Sequence, residues 1–270
     1  MAAHGVRMLR GKEPQLRKLI YELRYEQGYL YLDRCGRILD RIGREKPEWM
    51  PAGEISPQQA PLFNIQNRIR FTFGAKKIDL LLDQMFPGSP LIDESARAEF
   101  ARAAEDMSRL VVQELQLESF ARIGVRSFFQ FSMENETESQ QWLAGLGLFA
   151  VSPKFLGAFH SKSAAADLTA VLVGEECRYR VEVSSIETVT QLDMGGGQAL
   201  AIREKGIEPQ ARLAFNKSKM KMKRERDLNT GYAVQFDVDA FHEFPSKPDF
   251  GKFVSEHTDD VLEMIRNSVA

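Results

Sequence analysis

Two stretches of the chain alternate apolar and polar residues, and each begins the same predicted order of elements. The first stretch is 18–26 and the second is 122–132. Alternation with a period of two predicts a strand that turns one face to a core. In each half a short helix, one or more hairpins and a long amphipathic helix follow, with the long helices at 93–115 and 249–267. The sequence therefore predicts an α+β fold in which one layout occurs twice.

Each half predicts a two-layer unit made of a strand, a short helix, an antiparallel meander and a long helix. The predicted fold is a pseudo-duplicated α+β protein with units at 1–117 and 118–270. Their sheets would either lie side by side as one continuous platform or belong to separate domains. We favour the single body.

Capping and turn residues divide the first half further. Asp33 is placed to cap a helix that ends near Gly43. The segment 46–64 contains four prolines and predicts a loop. Residues 68–73 and 77–85 then predict a hairpin.

The second half follows the same order. Thr137 begins a segment with the spacing of a capping box, which predicts a short helix. One hairpin is predicted to join 167–173 to 177–186. A second is predicted to join 211–223 to 232–242 around a turn that contains glycine.

Composition places the chain among globular proteins. Of its 270 residues, 43% are hydrophobic and 27% are charged, which is ordinary for a chain with a packed core. The net charge of −2 gives no overall attraction to nucleic acid or to an anionic membrane. Two cysteines do not make a disulfide framework, and no apolar run approaches the roughly 20 residues that span a bilayer. We expect a cytoplasmic protein without membrane contact.

The strongest local feature is the basic segment, NKSKMKMKRER at 216–226, whose local charge is +5. Its lysines alternate with other residues, so a strand here would place four ammonium groups on one face, about 6.6–6.8 Å apart. That spacing is close to the phosphate repeat of a nucleic-acid strand and predicts salt-dependent binding of a polyanion. The basic side chains are Lys217, Lys219, Lys221, Lys223, Arg224 and Arg226.

An ordinary structural role competes with polyanion binding. In the predicted hairpin with 232–242, Lys219 would face Asp237 and Lys217 would face Asp239, as oppositely charged cross-strand pairs do in many sheets. Lysines also protect strand edges from aggregation. We favour this structural role over polyanion binding, and polyanion binding over contact with a protein partner.

Two further groups of charged residues lie on predicted strands. Arg122 and Arg126 share a polar face, where they would form either an anion site or part of a solvated sheet face, and we favour the solvated face. Asp237 and Asp239 share a face that could hold a divalent cation near His242. However, His242 falls on the opposite face, and a hard cation takes more than two oxygen ligands.

No other pattern predicts chemistry. Gly195, Gly196 and Gly197 lack the signature of a phosphate loop and predict a flexible connection. The four histidines lack metal-ligand spacing, and neither cysteine has the basic surroundings of an activated thiolate. We therefore expect no catalytic residue, no metal and no cofactor.

Three segments occur in a suggestive order: LIYELRYE at 19–26, RIGVRSFFQF at 122–131 and YAVQFDVDAF at 232–241. Together they resemble a sporadically distributed family of uncharacterised bacterial and archaeal proteins of similar size. The tryptophan-containing segment of that family has no counterpart at 86–92, which reads FPGSPLI. The resemblance implies no particular activity. The patchy distribution of the family implies a component of a bacterial defence or mobile-element system.

The leading hypothesis is a non-catalytic binding or sensing module. Its sheet would meet a protein partner, or a second copy of the chain, through Arg122, Arg126 and the basic segment. The first alternative is a nucleic-acid-binding protein that uses the basic segment. The second is a metal-dependent enzyme that uses Asp237 and Asp239, and we rank it last.

Overall fold

The computed structural model describes residues 12–26, 28–85, 89–146, 168–174, 177–189, 230–246 and 248–269. Within these ranges, nine strands form one antiparallel sheet and four helices pack on it. The predicted α+β class is therefore confirmed. We call the side of the sheet that carries the helices the covered face, and the opposite side the open face.

In each half a strand, a short helix, a meander and a long helix follow one another, as predicted. The strands are β1 (Gln15–Arg24), β2 (Trp49–Pro51), β3 (Gln59–Asn64), β4 (Ile69–Gly74), β5 (Lys77–Asp83), β6 (Arg122–Met133), β7 (Leu168–Val173), β8 (Arg178–Val189) and β9 (Thr230–Glu243). The helices are α1 (Tyr31–Glu45), α2 (Glu94–Leu115), α3 (Glu136–Gly145) and α4 (Phe250–Val269). Across the sheet the strands run β2-β3-β4-β5-β1-β6-β9-β8-β7.

The sheet runs without a break from the first half of the chain into the second. Its centre is the antiparallel pair of β1 and β6, in which Tyr21 lies opposite Val125. In each half the opening strand also pairs with the last strand of the meander that follows, β5 on β1 and β9 on β6. The order of elements is thus alike in the two halves, whereas duplication and the division into units 1–117 and 118–270 stay predictions.

The alternation of β1 correctly predicts which side chains face the helices. Leu19, Tyr21 and Leu23 are fully buried on the covered face. The Ser108 hydroxyl of α2 donates a hydrogen bond of 3.1 Å to the Tyr21 hydroxyl, which fixes the helix over the centre of the sheet. Burial raises the pKa of Tyr21, so its hydroxyl stays protonated at neutral pH.

The two long helices pack on each other as well as on the sheet. Asp93 caps α2 as predicted, because its carboxylate accepts a hydrogen bond of 2.8 Å from the Ala96 amide. At the start of α4, a Cβ atom on Gly251 would lie 2.9 Å from the Cβ of Glu105, so only glycine permits this close approach. Its amide donates a hydrogen bond of 3.0 Å to Glu105. The long helices therefore form one continuous layer over β1 and β6.

The boundaries of α1 differ from the prediction. The helix spans Tyr31–Glu45, so Asp33 lies in its first turn and Gly43 lies in its interior. The helix starts early because Tyr31 is buried and its hydroxyl donates a hydrogen bond of 2.7 Å to the Ser56 carbonyl. Tertiary packing has overridden the local capping signals.

The predicted loop at 46–64 is wrong in part, because it contains β2 and β3. Pro61 is tolerated inside β3 because its carbonyl, and hence its nitrogen, points toward the β2 side, where the Ala52 amide donates to that carbonyl at 3.1 Å. Strand β2 has already ended at Pro51, so the missing N–H of Pro61 removes no ladder hydrogen bond.

In the second half, the capping prediction is displaced by two residues. The side chain of Asn135, rather than that of Thr137, accepts a hydrogen bond of 2.9 Å from the Glu138 amide at the start of α3. From this helix the Trp142 ring packs 5.0 Å from Phe131 and 6.0 Å from Phe236, measured between ring centroids. Through this contact, α3 covers β6 and β9 on the covered face.

Of the two hairpins predicted in the second half, that of β7 with β8 is confirmed. The other, between 211–223 and 232–242, is wrong because β9 already has a strand on each side, β6 along one edge and β8 along the other. The cross-strand neighbours of Asp237 are Phe128 and Glu182, and those of Asp239 are Arg126 and Arg180, in place of the expected Lys219 and Lys217. The positions of these lysines lie outside the described residues.

Candidate binding surface

The open face gathers the charged residues of the central strands, and no described helix packs on it. In the strand register it carries eight basic and seven acidic side chains. The basic ones are Lys18, Arg24, Arg70, Lys77, Arg122, Arg126, Arg178 and Arg180. The acidic ones are Glu22, Asp79, Asp83, Glu182, Asp237, Asp239 and Glu243. Their charges nearly cancel, which distinguishes this face from a polyanion-binding surface.

Arg122 lies at the centre of the charged array and joins three strands. Its guanidinium donates to Glu22 of β1 at 2.7 Å and to both carboxylate oxygens of Asp239 of β9, at 2.8 and 2.7 Å. It also lies over the Phe241 ring, 4.7 Å from the centroid. Only 17% of the Arg122 side chain is exposed, so this charge is largely withdrawn from water by its neighbours within the sheet.

Gly124 explains why Arg122 can lie flat on the sheet. A Cβ atom at this position would stand 3.0–3.1 Å from the guanidinium of Arg122, two residues away on the same face. Glycine inside a strand leaves such room for a close approach. Sequence reasoning overlooked Gly124, although a glycine between two same-face arginines was the available signal.

Arg126 forms the second ion pair of the array. Its Nε atom donates to Asp237 at 2.6 Å, and its Nη2 atom donates to the other oxygen of the same carboxylate. The Phe128 ring lies between two cations, with the Arg126 guanidinium 5.1 Å and the Lys18 ammonium 5.5 Å from its centroid. Such rings are engaged by cations and are not free to stack on nucleic-acid bases.

The electrostatic consequences of this packing appear in the pKa values. Burial raises the pKa of the Asp239 carboxyl, with Arg122 opposing the shift. Burial likewise raises the pKa of Asp79 on β5, against the effect of Lys77. The hydrogen bond to Asp237 raises the pKa of Arg126. Basic neighbours thus offset part of what Asp239 and Asp79 lose by leaving water.

Beside the two ion pairs, the open face has a shallow depression. It is lined by Arg126, Arg180, Glu182, Asp237 and Asp239. Arg180 is 54% exposed and has its closest acidic contact, with Glu182, at 3.7 Å. Of the two arginines that line the depression, it is therefore the one more available to another molecule, because Arg126 is 41% exposed and paired with Asp237. The depression is too small to enclose a typical organic ligand.

The structure brings together some of the sequence-predicted site residues. Arg122 and Arg126 lie on one face as predicted. However, each forms an ion pair with an aspartate, so neither guanidinium is left to form the anion site. The remaining predicted contacts lie outside the described residues: Lys217, Lys219, Lys221, Lys223, Arg224 and Arg226. So do Gly195, Gly196 and Gly197.

The arrangement around Asp237 and Asp239 does not suit a metal ion. Each carboxylate receives two hydrogen bonds from an arginine, and His242 is exposed on the side opposite to both. Among the residues that the structure describes, no three His, Cys, Asp or Glu side chains come together as a possible metal site. Burial raises the pKa of Cys177 to about 11, which disfavours its thiolate.

The chain matches no protein-family model, no curated protein and no solved structure. Within the described ranges, none of the helices combines the length and the apolar character that crossing a membrane requires. The family resemblance of the three segments accordingly stays a prediction.

Proposed function

We propose that this chain is a non-catalytic binding module that holds a protein partner on the open face of its sheet. The observation that carries the proposal is the ion-pair array of Glu22, Arg122, Asp239, Arg126 and Asp237. These charges are ordered and mostly withdrawn from water although no described element covers them. Only 10% of the Asp237 side chain is exposed, for example.

Such an array suits binding because it reduces two costs of association. A partner that docks on a charged surface must normally strip water from the charges and immobilise long side chains. In this array the neighbouring strands have already removed most of the water from the charges and fixed the side chains before any partner binds. Fixed charges of both signs also reject partners whose pattern does not match, which favours specificity.

The balance of charge favours a protein over a nucleic acid as the partner. A protein surface on which positive and negative charges alternate can match the eight basic and seven acidic groups of the open face. A nucleic-acid strand is uniformly negative, so the seven acidic groups repel it about as strongly as the eight basic groups attract it. The partner that fits is a protein that presents an acidic group to Arg180 and basic groups to Glu182 and the nearby carboxylates. If the family resemblance holds, this protein would be another component of a defence or mobile-element system.

The test is affinity capture with matched charge-reversal variants of the full chain. The lysate of the native host is divided, one half is treated with nuclease, and each half is passed over the wild type, Arg180→Glu and Arg109→Glu. Arg109 is a suitable control because it is 75% exposed on α2, on the helical side of the molecule. We expect one protein to be held by the wild type and Arg109→Glu, and at least about tenfold less of it by Arg180→Glu, since an interfacial charge reversal costs more than about 1.4 kcal/mol.

Two results would contradict the proposal. Equal capture by all three proteins would move the interface away from the open face. Capture that disappears after nuclease treatment would instead support the nucleic-acid alternative, in which the basic segment at 216–226 makes the contact. Thermal unfolding of both variants checks that the reversals leave the fold intact.

A further inference from the structure

The two edges of the sheet are built differently. Strand β2, at one edge, has three residues and ends in Pro51, and both features discourage another strand from pairing with it. Strand β7, at the other edge, has six residues, LTAVLV, without a charge or a proline. Its Val171, Leu172 and Val173 side chains are 60%, 55% and 74% exposed. An edge of this kind is a template for pairing.

The direction of the unpaired backbone groups follows from the turn between β7 and β8. The Gly174 amide donates to the Cys177 carbonyl at 2.9 Å, so the backbone of Gly174 faces β8. Because direction alternates along a strand, Ala170 and Leu172 also face β8. The N–H and C=O groups of Thr169, Val171 and Val173 therefore point away from the sheet, and no strand in the described part of the chain pairs with them.

This strand is complementary to itself when two copies run antiparallel about Val171. Val171 then lies opposite Val171 of the second copy, and Thr169 of each copy lies opposite Val173 of the other. These three pairs exchange six backbone hydrogen bonds, two for each pair. On the covered face the small Ala170 lies opposite the larger Leu172 at both ends of the contact. No charge falls inside the pairing, and β-branched residues occupy the other side, as cross-strand contacts favour.

We propose that the edge of β7 is a self-association site, at which a second copy adds its own β7 antiparallel about Val171 and joins the two sheets across a two-fold axis. An identical partner is the occupant that the self-complementary sequence fits, and a two-fold contact of this kind closes without forming a chain of molecules. The contact is separate from the ion-pair array, which lies toward the centre of the open face.

The register can be tested by disulfide crosslinking of the full chain. The parent is Cys35→Ser, because Cys35 is partly exposed whereas Cys177 is buried. In the proposed pairing the two copies of residue 171 have Cα atoms about 5.5 Å apart, a separation that a disulfide spans. The two copies of residue 173 are displaced by four residues along the strand, about 13 Å. We therefore expect Val171→Cys to give a covalent dimer under mild oxidation and Val173→Cys to give none.

The association itself is measured by analytical ultracentrifugation over a range of concentrations. We expect the wild type to approach twice the 30.6 kDa of the chain as concentration rises. Val171→Pro removes an outward N–H without breaking a bond to β8 and should abolish the dimer. Val171→Thr keeps both the backbone groups and the shape, so it should retain the dimer. Met50→Lys, which places a charge on the opposite edge strand, should also retain it.

A measurement on the unmodified protein guards against a variant that fails to fold. In amide exchange, Ala170 and Leu172 should be protected at all concentrations, because they bond to β8. Thr169, Val171 and Val173 should become protected only at high concentration. A wild type that is monomeric at every concentration overturns the proposal, as does protection of the outward amides that is independent of concentration. A dimer that survives Val171→Pro, or equal crosslinking at 171 and 173, overturns it too.

Discussion

The two faces of the central strands hold the same backbone in place by different means. On the covered face, Leu19, Tyr21 and Val125 are buried under helices, and apolar contact stabilises them. On the open face of the same strands, Glu22 and Arg122 are also largely withdrawn from water, but their cover consists of one another, an aspartate and a phenylalanine ring. The difference teaches that a layer of helices is one way to order a sheet face and that an ion-pair array is another.

The largest expected effect tests the covered face. Phe71 is fully buried and packs against Trp49 and Phe73, with ring centroids 5.9 and 5.7 Å away. Phe71→Ala should lower the free energy of unfolding by about 3–5 kcal/mol, because it removes buried apolar surface and leaves a cavity. Urea denaturation measures this change.

Its matched control is the preceding residue in the chain. Arg70 is exposed on the open face, so Arg70→Ala should change the free energy of unfolding by no more than about 0.5 kcal/mol. Similar losses in the two variants would mean that the faces do not differ as described.

A middle-sized effect is expected at the ion-pair array. Asp237→Ala leaves the Arg126 guanidinium without its carboxylate partner and should cost about 1–3 kcal/mol of stability by urea denaturation. Adding Arg126→Ala should recover part of the loss, since the stranded charge is then removed.

Asp259→Ala is the control for this experiment. Asp259 is 57% exposed and pairs with Arg97 on the helical side of the molecule, where we expect a loss within about 0.5 kcal/mol. If Asp237→Ala were equally mild, or if the double variant were no better than the single one, the array would resemble ordinary surface ion pairs.

The smallest effect is a dependence of stability on pH. Burial raises the pKa of Asp239 above its ordinary value, so the folded protein binds this proton more tightly than the unfolded chain. The contribution of Asp239 to stability therefore falls as pH rises from the ordinary range of an aspartate through the raised folded value. Asp239→Asn removes this titration, and the variant should gain stability relative to the wild type as pH rises above the ordinary pKa of an aspartate, about 3.9.

Thermal unfolding of the two proteins at several pH values measures that difference. A difference that does not change with pH, or one that moves in favour of the wild type, would argue against a burial cost at Asp239.

Much of the fold could be predicted because its signals are local. The alternation of β1 and β6 and the cap at Asp93 each depend on residues within a few positions. Other features depend on distant partners. Pro61 in β3 indicates a loop unless the end of β2 beside it is known. Helix α1 begins early because the Tyr31 hydroxyl bonds to the Ser56 carbonyl.

The candidate site was harder to predict for the same reason. That Arg122 and Arg126 share a face follows from their spacing, but their carboxylate partners stand more than 100 residues away. The local turn between 211–223 and 232–242 favoured lysines as the partners of Asp237 and Asp239. That choice was wrong because β9 lies between β6 and β8, and this non-local order has no signal in the segment itself.

The position of β9 also has a consequence for the order in which the protein is assembled during synthesis. Strands β2 to β5 each pair with the strand next to them in the chain, and β7 and β8 form a local hairpin. Strand β6, by contrast, lacks its outer neighbour until residues 230–243 have left the ribosome. Contacts between such distant segments form slowly. In the nascent chain, the first half of the sheet is therefore nearly complete while one edge of β6 is still unpaired. That edge becomes paired only when β9 is added.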